Sequence, residues 1–463
     1  MNDILAVKFK ETLDFDLRYP VSMSISDCIV CNESNLNYER IRRHIRQNIG
    51  NMWNYLNNEL GKISKKYGVI VPGLQQEISN ILILGAEKIH SLLIDMERMR
   101  QMDGYENWRH QESKELSDLM QRRLHYLQHP ANCSKARKLV YKLTKSCGYA
   151  CELHQVVYCY LVAYATQRTL ILKSDNWTYD GKDWESVFHS LVSSSCIVDD
   201  DTLNTMQHIS EFNNETFLSN KKVLFLLARD FSQRDLFSPS FIPNDFGSRL
   251  IRLHDEPKVW WVGQFLKYMI RPQKDVKDFL KNMMIKLGWS KPIVGVHVQR
   301  TNKVSLSAEA SFLDIEESMT QVEDLLLTLK SNGRIVPRRI YLATDDANVV
   351  DEARKKYPQY EIINNSEVVG GWPNIPRRYS NDSLYGILLD IHLLSMSDYL
   401  VCNFSSQVCQ IAYEIMQTLY SDAAHRFKPL NDVSYFETQA HQTIIRHDAQ
   451  NHAGNSFHVA DNH

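Results

Sequence analysis

The sequence predicts an α/β protein: N-terminal helices, then an open α/β region, then a parallel sheet. Two patterns carry that expectation. Apolar residues recur at spacings of three and four before about residue 130, and short apolar runs alternate with helical stretches after it. A third observation is the apolar run Ile293-Val-Gly-Val-His297-Val, which ends in the polar and basic cluster Gln299-Arg300-Thr301-Asn302-Lys303. Open α/β sheets place their ligands at such carboxyl ends of strands.

The 463 residues, 43% hydrophobic and 23% charged, suffice for two or three domains with their own core. Lys plus Arg total 53 against 55 Asp plus Glu, a net charge of −2, so no global field favours nucleic acid or an anionic membrane. Phosphate recognition must therefore be local. No run approaches the ~20 apolar residues of a membrane span, and Met1 to Cys31 lacks the segments of a signal peptide, so no anchor is visible.

Residues 1–35 read as a tail and 36–130 as a helical region. Within it Leu74, Ile78, Ile81, Leu82, Ile89, Leu92, Leu93 and Met96 form one expected apolar stripe, open to intrachain packing or to a dimer. Residues 131–290 form the open α/β region, with strands such as Thr169–Leu172 and Val223–Leu227 and a helix over His154–Ala165. Trp260 and Trp261 sit in a helix that ends before Pro272, and core is the simpler role for both.

Residues 291–430 are the clearest part. Strands Ile293–Val298, Arg339–Ala343, Tyr360–Ile363 and Tyr399–Cys402 alternate with helices Phe312–Leu329, Ala347–Tyr357, Ser383–Ser395 and Gln407–Leu419. That order gives a Rossmann-like parallel sheet. Residues 431–463 are polar, rich in His and Asn, and read as a loose tail.

Nine cysteines bear on compartment. Zinc is a competing reading for the group around Cys147-Gly-Tyr-Ala-Cys151, but no second Cys or His pair stands at finger spacing. Disulfides in an oxidising lumen fit better. Seven Asn-x-Ser/Thr sequons, at Asn32, Asn132, Asn176, Asn214, Asn364, Asn381 and Asn403, add slight weight to a secretory home.

Three strand ends in the last sheet can converge on one crevice: His297 to Lys303, Thr344-Asp345-Asp346, and Asn403-Phe404-Ser405-Ser406-Gln407. The third opens an amphipathic helix, whose free N–H groups suit a diphosphate; a plain capping role for Ser405 or Ser406 is the alternative. Asp345-Asp346 could meet a divalent metal, but capping the next helix is preferred, with a sugar contact beside it.

The cluster at His297 to Lys303 resembles the His-Val-Arg-Arg-Thr-Asp-Lys signature of the α-1,6-fucosyltransferases that act on the N-glycan core. Further matches run from Asn132-Cys-Ser-Lys and Cys147-Gly-Tyr-Ala-Cys through Thr166-Gln-Arg-Thr, Trp260-Trp-Val and Ile270-Arg-Pro-Gln. They continue through Tyr341-Leu-Ala-Thr-Asp-Asp346, Leu389-Asp-Ile-His392, Phe404-Ser-Ser-Gln-Val-Cys409 and Ala412-Tyr-Glu-Ile-Met-Gln-Thr418. The resemblance implies a GT-B-like fold and an inverting, metal-independent transferase. Fucose would pass from GDP-fucose to the 6-hydroxyl of the innermost N-acetylglucosamine of an N-glycan, with no cofactor.

By the same resemblance His297 and Asp390 contact guanine, while Arg300, Ser405, Ser406 and Gln407 hold ribose and phosphates. Glu309 is the base, Lys303 couples to it, and Asp345 and Asp432 meet sugar. The implied disulfides are Cys133–Cys196, Cys147–Cys151 and Cys402–Cys409. Cys159, whose family partner position is held by Tyr141, would be unpaired or joined to Cys28 or Cys31. The resemblance also implies a Golgi lumenal enzyme with an N-terminal anchor and a C-terminal Src-homology-type barrel, neither of which has a visible counterpart in the sequence.

Elementary chemistry asks for the same parts. A sugar hydroxyl needs a carboxylate, Glu309 or Asp314, to take its proton, and a departing diphosphate needs positive charge beside it. Two positions depart from the signature. Gln299 stands where the first arginine is expected, and Asn302 where the aspartate is. The loop before Glu309 is also two residues longer than the family's. A degenerate copy that binds GDP-sugar or glycan, or partners an active transferase, is therefore the rival expectation.

Overall fold

The computed structural model describes residues 33–143, 148–175, 177, 183–196, 198, 207–209, 220–226, 242–300, 315–331, 337–365, 381–404 and 406–430. It opens with helices α1 (Leu36–Tyr67), α2 (Leu74–Met102) and α3 (Glu106–Gln128). Asn35 caps α1, its side chain accepting from the Asn37 N–H at 2.8 Å. The short link before α2 folds the pair into a hairpin.

The stripe expected on α2 divides. Ile78 and Ile89 are buried, but Ile81 and Leu92 are 55% and 47% exposed. At 3.6 residues per turn, residues 78, 82, 89, 93 and 96 share a face, while 81 and 92 lie to one side of it.

A charged seam fastens the hairpin to the body. Buried Glu39 accepts from Arg42 at 2.9 Å and from Arg109 of α3 at 2.6 Å, and Arg43 pairs with Asp255 at 2.8 Å. Buried charges persist only when paired in this way.

The first sheet contains β1 (Lys138–Lys142), followed by helix α4 (Tyr149–Ala165) and strands β2 (Thr169–Lys173), β3 (Gln207–Ile209) and β4 (Val223–Leu226). All pair in parallel, in the order β2-β1-β4-β3. Helix α4 starts five residues before the expected His154, because it is buried nearly all round and lacks the polar face by which periodicity marks a helix.

Cys133–Cys196 is bonded, with Cα atoms 5.3 Å apart, and Cys151 is disulfide-bonded, its expected partner Cys147 lying outside the described residues. Cys159 is a free, buried thiol, and burial raises its pKa. Burial raises the Tyr141 pKa as well, and the nearby Cys159 adds to that shift.

Helices α5 (Asn244–Leu253), α6 (Pro257–Met269) and α7 (Lys274–Lys286) lead to the second sheet. Trp260 and Trp261 of α6 are buried in the main apolar core. Then come β5 (Val294–Val298), α8 (Ile315–Ser331), β6 (Arg339–Thr344), α9 (Ala347–Lys356) and β7 (Glu361–Ile363). The chain continues through α10 (Asn381–Met396), β8 (Tyr399–Cys402), α11 (Gln407–Leu419) and β9 (Phe427–Pro429).

This sheet is also parallel throughout, in the order β7-β6-β5-β8-β9. The sequence reading lacked β9, a three-residue edge strand closed by proline. Two parallel α/β sheets beside N-terminal helices are the architecture the sequence predicts.

Strand alternation sorts the second sheet's side chains. Val294, Val296, Val298, Ile340, Leu342 and Val401 face α8 and α9. The opposite face carries Gly295, His297, Tyr341, Ala343 and Cys402 toward α10 and α11. Gly295 lets α10 come close: a Cβ there would lie 3.0 Å from Ser397 Oγ.

Candidate functional site

Register brings the three expected strand ends to one edge. His297 pairs with Ala343 on one side and Cys402 on the other, so the chain leaves β5, β6 and β8 at the same level. Thr301 to Asp314, Ser405 and Asp432 lie outside the described residues, and with them Lys303, Glu309, Ser405 and Asp432 of the expected site.

His297 is 7% exposed, and its Nδ1 has no hydrogen-bond partner among the described residues. Burial lowers its pKa to about 4, partly offset by the Asp345 carboxylate nearby, so the ring is neutral at neutral pH. A neutral imidazole offers one N–H and one lone pair, which suits the mixed edge of a base.

Two residues back along β5, a Cβ on Gly295 would lie 3.1 Å from the Leu394 side chain of α10. One turn toward the start of α10 from Leu394 comes Asp390, which places it at the level of His297 on the same face. Asp390 is 2% exposed; its Oδ1 accepts from Tyr341 Oη at 2.6 Å and from Asn365 Nδ2 at 2.8 Å. Sequence reasoning gave neither donor a role. The available signals were Tyr341's position on the His297 face and Asn365's place just past the end of β7.

The loop after β5 is tied to the loop after β6 through the Arg300 N–H, which donates to Asp345 Oδ1 at 2.8 Å. The Arg300 guanidinium pairs with Glu352 of α9 at 2.9 Å and lies 3.9 Å from Asp346. That engagement was not foreseen, because nothing in the sequence spacing links Arg300 to α9. Asp346 caps α9, its side chain accepting from the Asn348 N–H at 3.0 Å, as the helix-cap expectation had it.

The start of α11 completes the edge. Ser406 occupies the N-cap but makes no side-chain capping bond, and its buried Oγ has no partner among the described residues. At Ser406 this departs from the simple capping alternative, while Ser405 lies outside the described residues. Gln407 begins the helix, half-buried. A disulfide joins Cys402 at the end of β8 to Cys409 in the first turn of α11, with Cα atoms 6.0 Å apart. It fixes the turn whose N–H groups point off the helix start. His297, Arg300, Asp345, Asp390, Ser406 and Gln407 thus share one edge of one sheet.

Among the described residues, no group of three or more His, Cys, Asp or Glu is placed to hold a metal ion.

A family model described as alpha-(1,6)-fucosyltransferase N- and catalytic domains matches residues 18–435. An alpha-(1,6)-fucosyltransferase of Drosophila melanogaster is 53% identical over 443 residues, covering 93% of this chain and 70% of that protein. One of Caenorhabditis elegans is 34% identical over 404 residues, covering 84% and 70%. Among solved structures, a mutant of Arabidopsis thaliana FUT1 in complex with GDP covers 66% of this chain and 77% of its own, at 15% identity and a TM-score of 0.43. With the family model spanning most of the chain and a relative above half identity, the chain belongs to the α-(1,6)-fucosyltransferase family, a family of glycosyltransferases.

Proposed function

We propose that this protein transfers fucose from GDP-fucose to the 6-hydroxyl of the innermost N-acetylglucosamine of an N-glycan, with inversion and without a metal. The observation that carries the donor half is the pair of buried polar atoms without partners among the described residues, His297 Nδ1 and Ser406 Oγ, at one sheet edge beside the start of α11. Leaving such atoms without a ligand costs about 1–3 kcal/mol each, which a bound nucleotide would recover.

In this reading His297 and Asp390 meet guanine, with Tyr341 and Asn365 fixing the Asp390 carboxylate. Ser405, Ser406 and Gln407 present the helix start to the phosphates. Glu309 takes the proton of the attacking hydroxyl, Lys303 couples to it, and Asp345 and Asp432 meet the sugar. As the C1–O bond breaks, charge grows on the diphosphate. Donors already aimed there lower the barrier because they bind the transition state better than the ground state.

A second reading has its own observations. Gln299 is neutral where the family signature has arginine, and Arg300 is held by Glu352. In that reading the pocket binds GDP-sugar, or the chain partners an active transferase, with little turnover.

The disulfides suit an oxidising compartment, and we place the protein in the Golgi lumen. A homodimer through the N-terminal helices is proposed for the exposed apolar sides of the hairpin. Ile41, Ile45, Met52, Leu56 and Ile63 line one side of α1, and Ile81, Leu84, Leu92 and Met99 one side of α2. A molar mass of one chain by light scattering removes that part.

The deciding experiment incubates purified protein with GDP-fucose and a biantennary glycopeptide bearing terminal N-acetylglucosamine, and measures GDP binding in parallel. Mass gain of one deoxyhexose on the innermost sugar is expected. GDP binding without mass gain selects the second reading, and absence of both overturns the donor pocket.

A further inference from the structure

We propose that Asn132 is an N-glycan attachment site of this protein, and that Asn364 and Asn403 are not. All seven sequons satisfy the same Asn-x-Ser/Thr rule. The fold separates the three whose side chains it describes.

Asn132-Cys-Ser134 lies in the turn between α3 and β1, at the amino edge of the first sheet. Asn132 and Ser134 are exposed, while Cys133 between them is buried and bonded to Cys196. The disulfide holds the turn against the body and leaves the two flanking side chains outward.

The hydrogen bonds of this turn use only oxygen atoms of Asn132. Its Oδ1 accepts from Ser134 Oγ at 2.7 Å and from the Lys135 N–H at 3.2 Å. Its carbonyl oxygen accepts from the N–H groups of Lys135 and Ala136. Glycosylation replaces one hydrogen on Nδ2 and leaves the amide oxygen an acceptor. The turn therefore survives the modification, and the glycan extends into solvent away from the carboxyl edge of that sheet.

The other two asparagines are built into the second sheet. Asn364 is 2% exposed and its Nδ2 donates to the Leu342 carbonyl at 2.6 Å. Asn403 is 7% exposed, directly after β8 at the edge that carries the candidate site. A bulky, hydrated sugar on either nitrogen has no room in the folded chain.

The chemistry is a group transfer from a lipid-linked diphosphate oligosaccharide. Asn132 Nδ2 bonds to C1 of the first sugar, the C1–O bond to the diphosphate breaks, and the lipid diphosphate leaves with the electron pair. One Nδ2 proton passes to a base of the transferring enzyme. The inference is independent of whether the chain itself transfers fucose.

The test carries the full chain into the secretory lumen of an animal cell with an appended leader and maps its peptides before and after glycoamidase treatment. The Asn132 peptide should carry a glycoamidase-sensitive hexosamine core, and the Asn364 and Asn403 peptides should carry none. Asn132→Gln and Ser134→Ala should each abolish the modification, and Ser134→Thr should retain it. Closure of Cys133–Cys196 in the Asn132→Gln variant shows that the loss is not misfolding. Unmodified Asn132 in molecules whose Cys133–Cys196 bond is closed overturns the proposal, as does a glycan on Asn364 or Asn403.

Discussion

In the proposed transfer, residue 299 is where the two readings of the pocket divide. Gln299 directly follows the strand that carries His297 and can donate hydrogen bonds to a diphosphate, but it neutralises no charge. A preorganised donor at a developing charge is worth about 3–4 kcal/mol, or 10²–10³ in rate, and a guanidinium adds two-pronged geometry. Gln299→Arg should therefore raise the transfer rate on the order of 10²–10³-fold in the glycopeptide assay. A variant no faster than its parent would count against a one-residue lesion and point to the altered loop before Glu309. That the polar ends of β5, β6 and β8 meet at one edge was legible in the sequence. The partners of Asp390 and Arg300 were not, since Tyr341, Asn365 and Glu352 reach them only through the packing of separate elements.

At the scale of elements, α11 matters most, because its N-terminus faces the site while its body packs on α6. Gly263 of α6 makes that packing possible: a Cβ there would collide with the backbone carbonyl of Glu414 in α11. Alanine would gain about 1 kcal/mol in helix propensity. Overpacking against backbone costs about 1–3 kcal/mol, and a carbonyl cannot swing aside as a flexible side chain can. Gly263→Ala should thus lower stability by about 1 kcal/mol net and weaken GDP binding, because α11 must shift. Urea melts and GDP titration check this, and an unchanged midpoint would refute the close approach. The α11 boundaries were readable from amphipathic spacing; its contact with α6 was not, since a buried glycine in a helix leaves no periodic mark. Helix α4, buried nearly all round, likewise begins earlier than periodicity marks.

The whole molecule responds to acid through its buried imidazoles. Burial lowers His254 to about 4 and His425 to about 3, alongside His297 at about 4. Folded, these rings stay neutral; unfolded, they take up protons below their ordinary 6.5. Stability contributed by the neutral rings is therefore lost as pH falls from about 6.5 toward 4. Asp255 works the other way, since burial and Asp422 raise its pKa to about 6, and the fold binds its proton before the unfolded chain does. Burial raises Glu414 as well, and three imidazoles at on the order of 1–2 kcal/mol each outweigh the two carboxyls. The urea midpoint should accordingly be lower at pH 5 than at pH 7, and His254→Asn should reduce the difference. An equal or higher midpoint at pH 5 would contradict this sign.

Local sequence determined the order of strands and helices, the parallel sheet and the three polar strand ends, because periodicity and strand polarity act over a few residues. Only the tertiary structure decided which polar atoms are satisfied. Pairing Arg300 with Glu352 and Asp390 with Tyr341 and Asn365, while leaving His297 Nδ1 and Ser406 Oγ without partners among the described residues, depends on contacts between distant elements. The same holds for the sequons: one tripeptide rule reads them all alike, and only burial distinguishes Asn132 from Asn364 and Asn403.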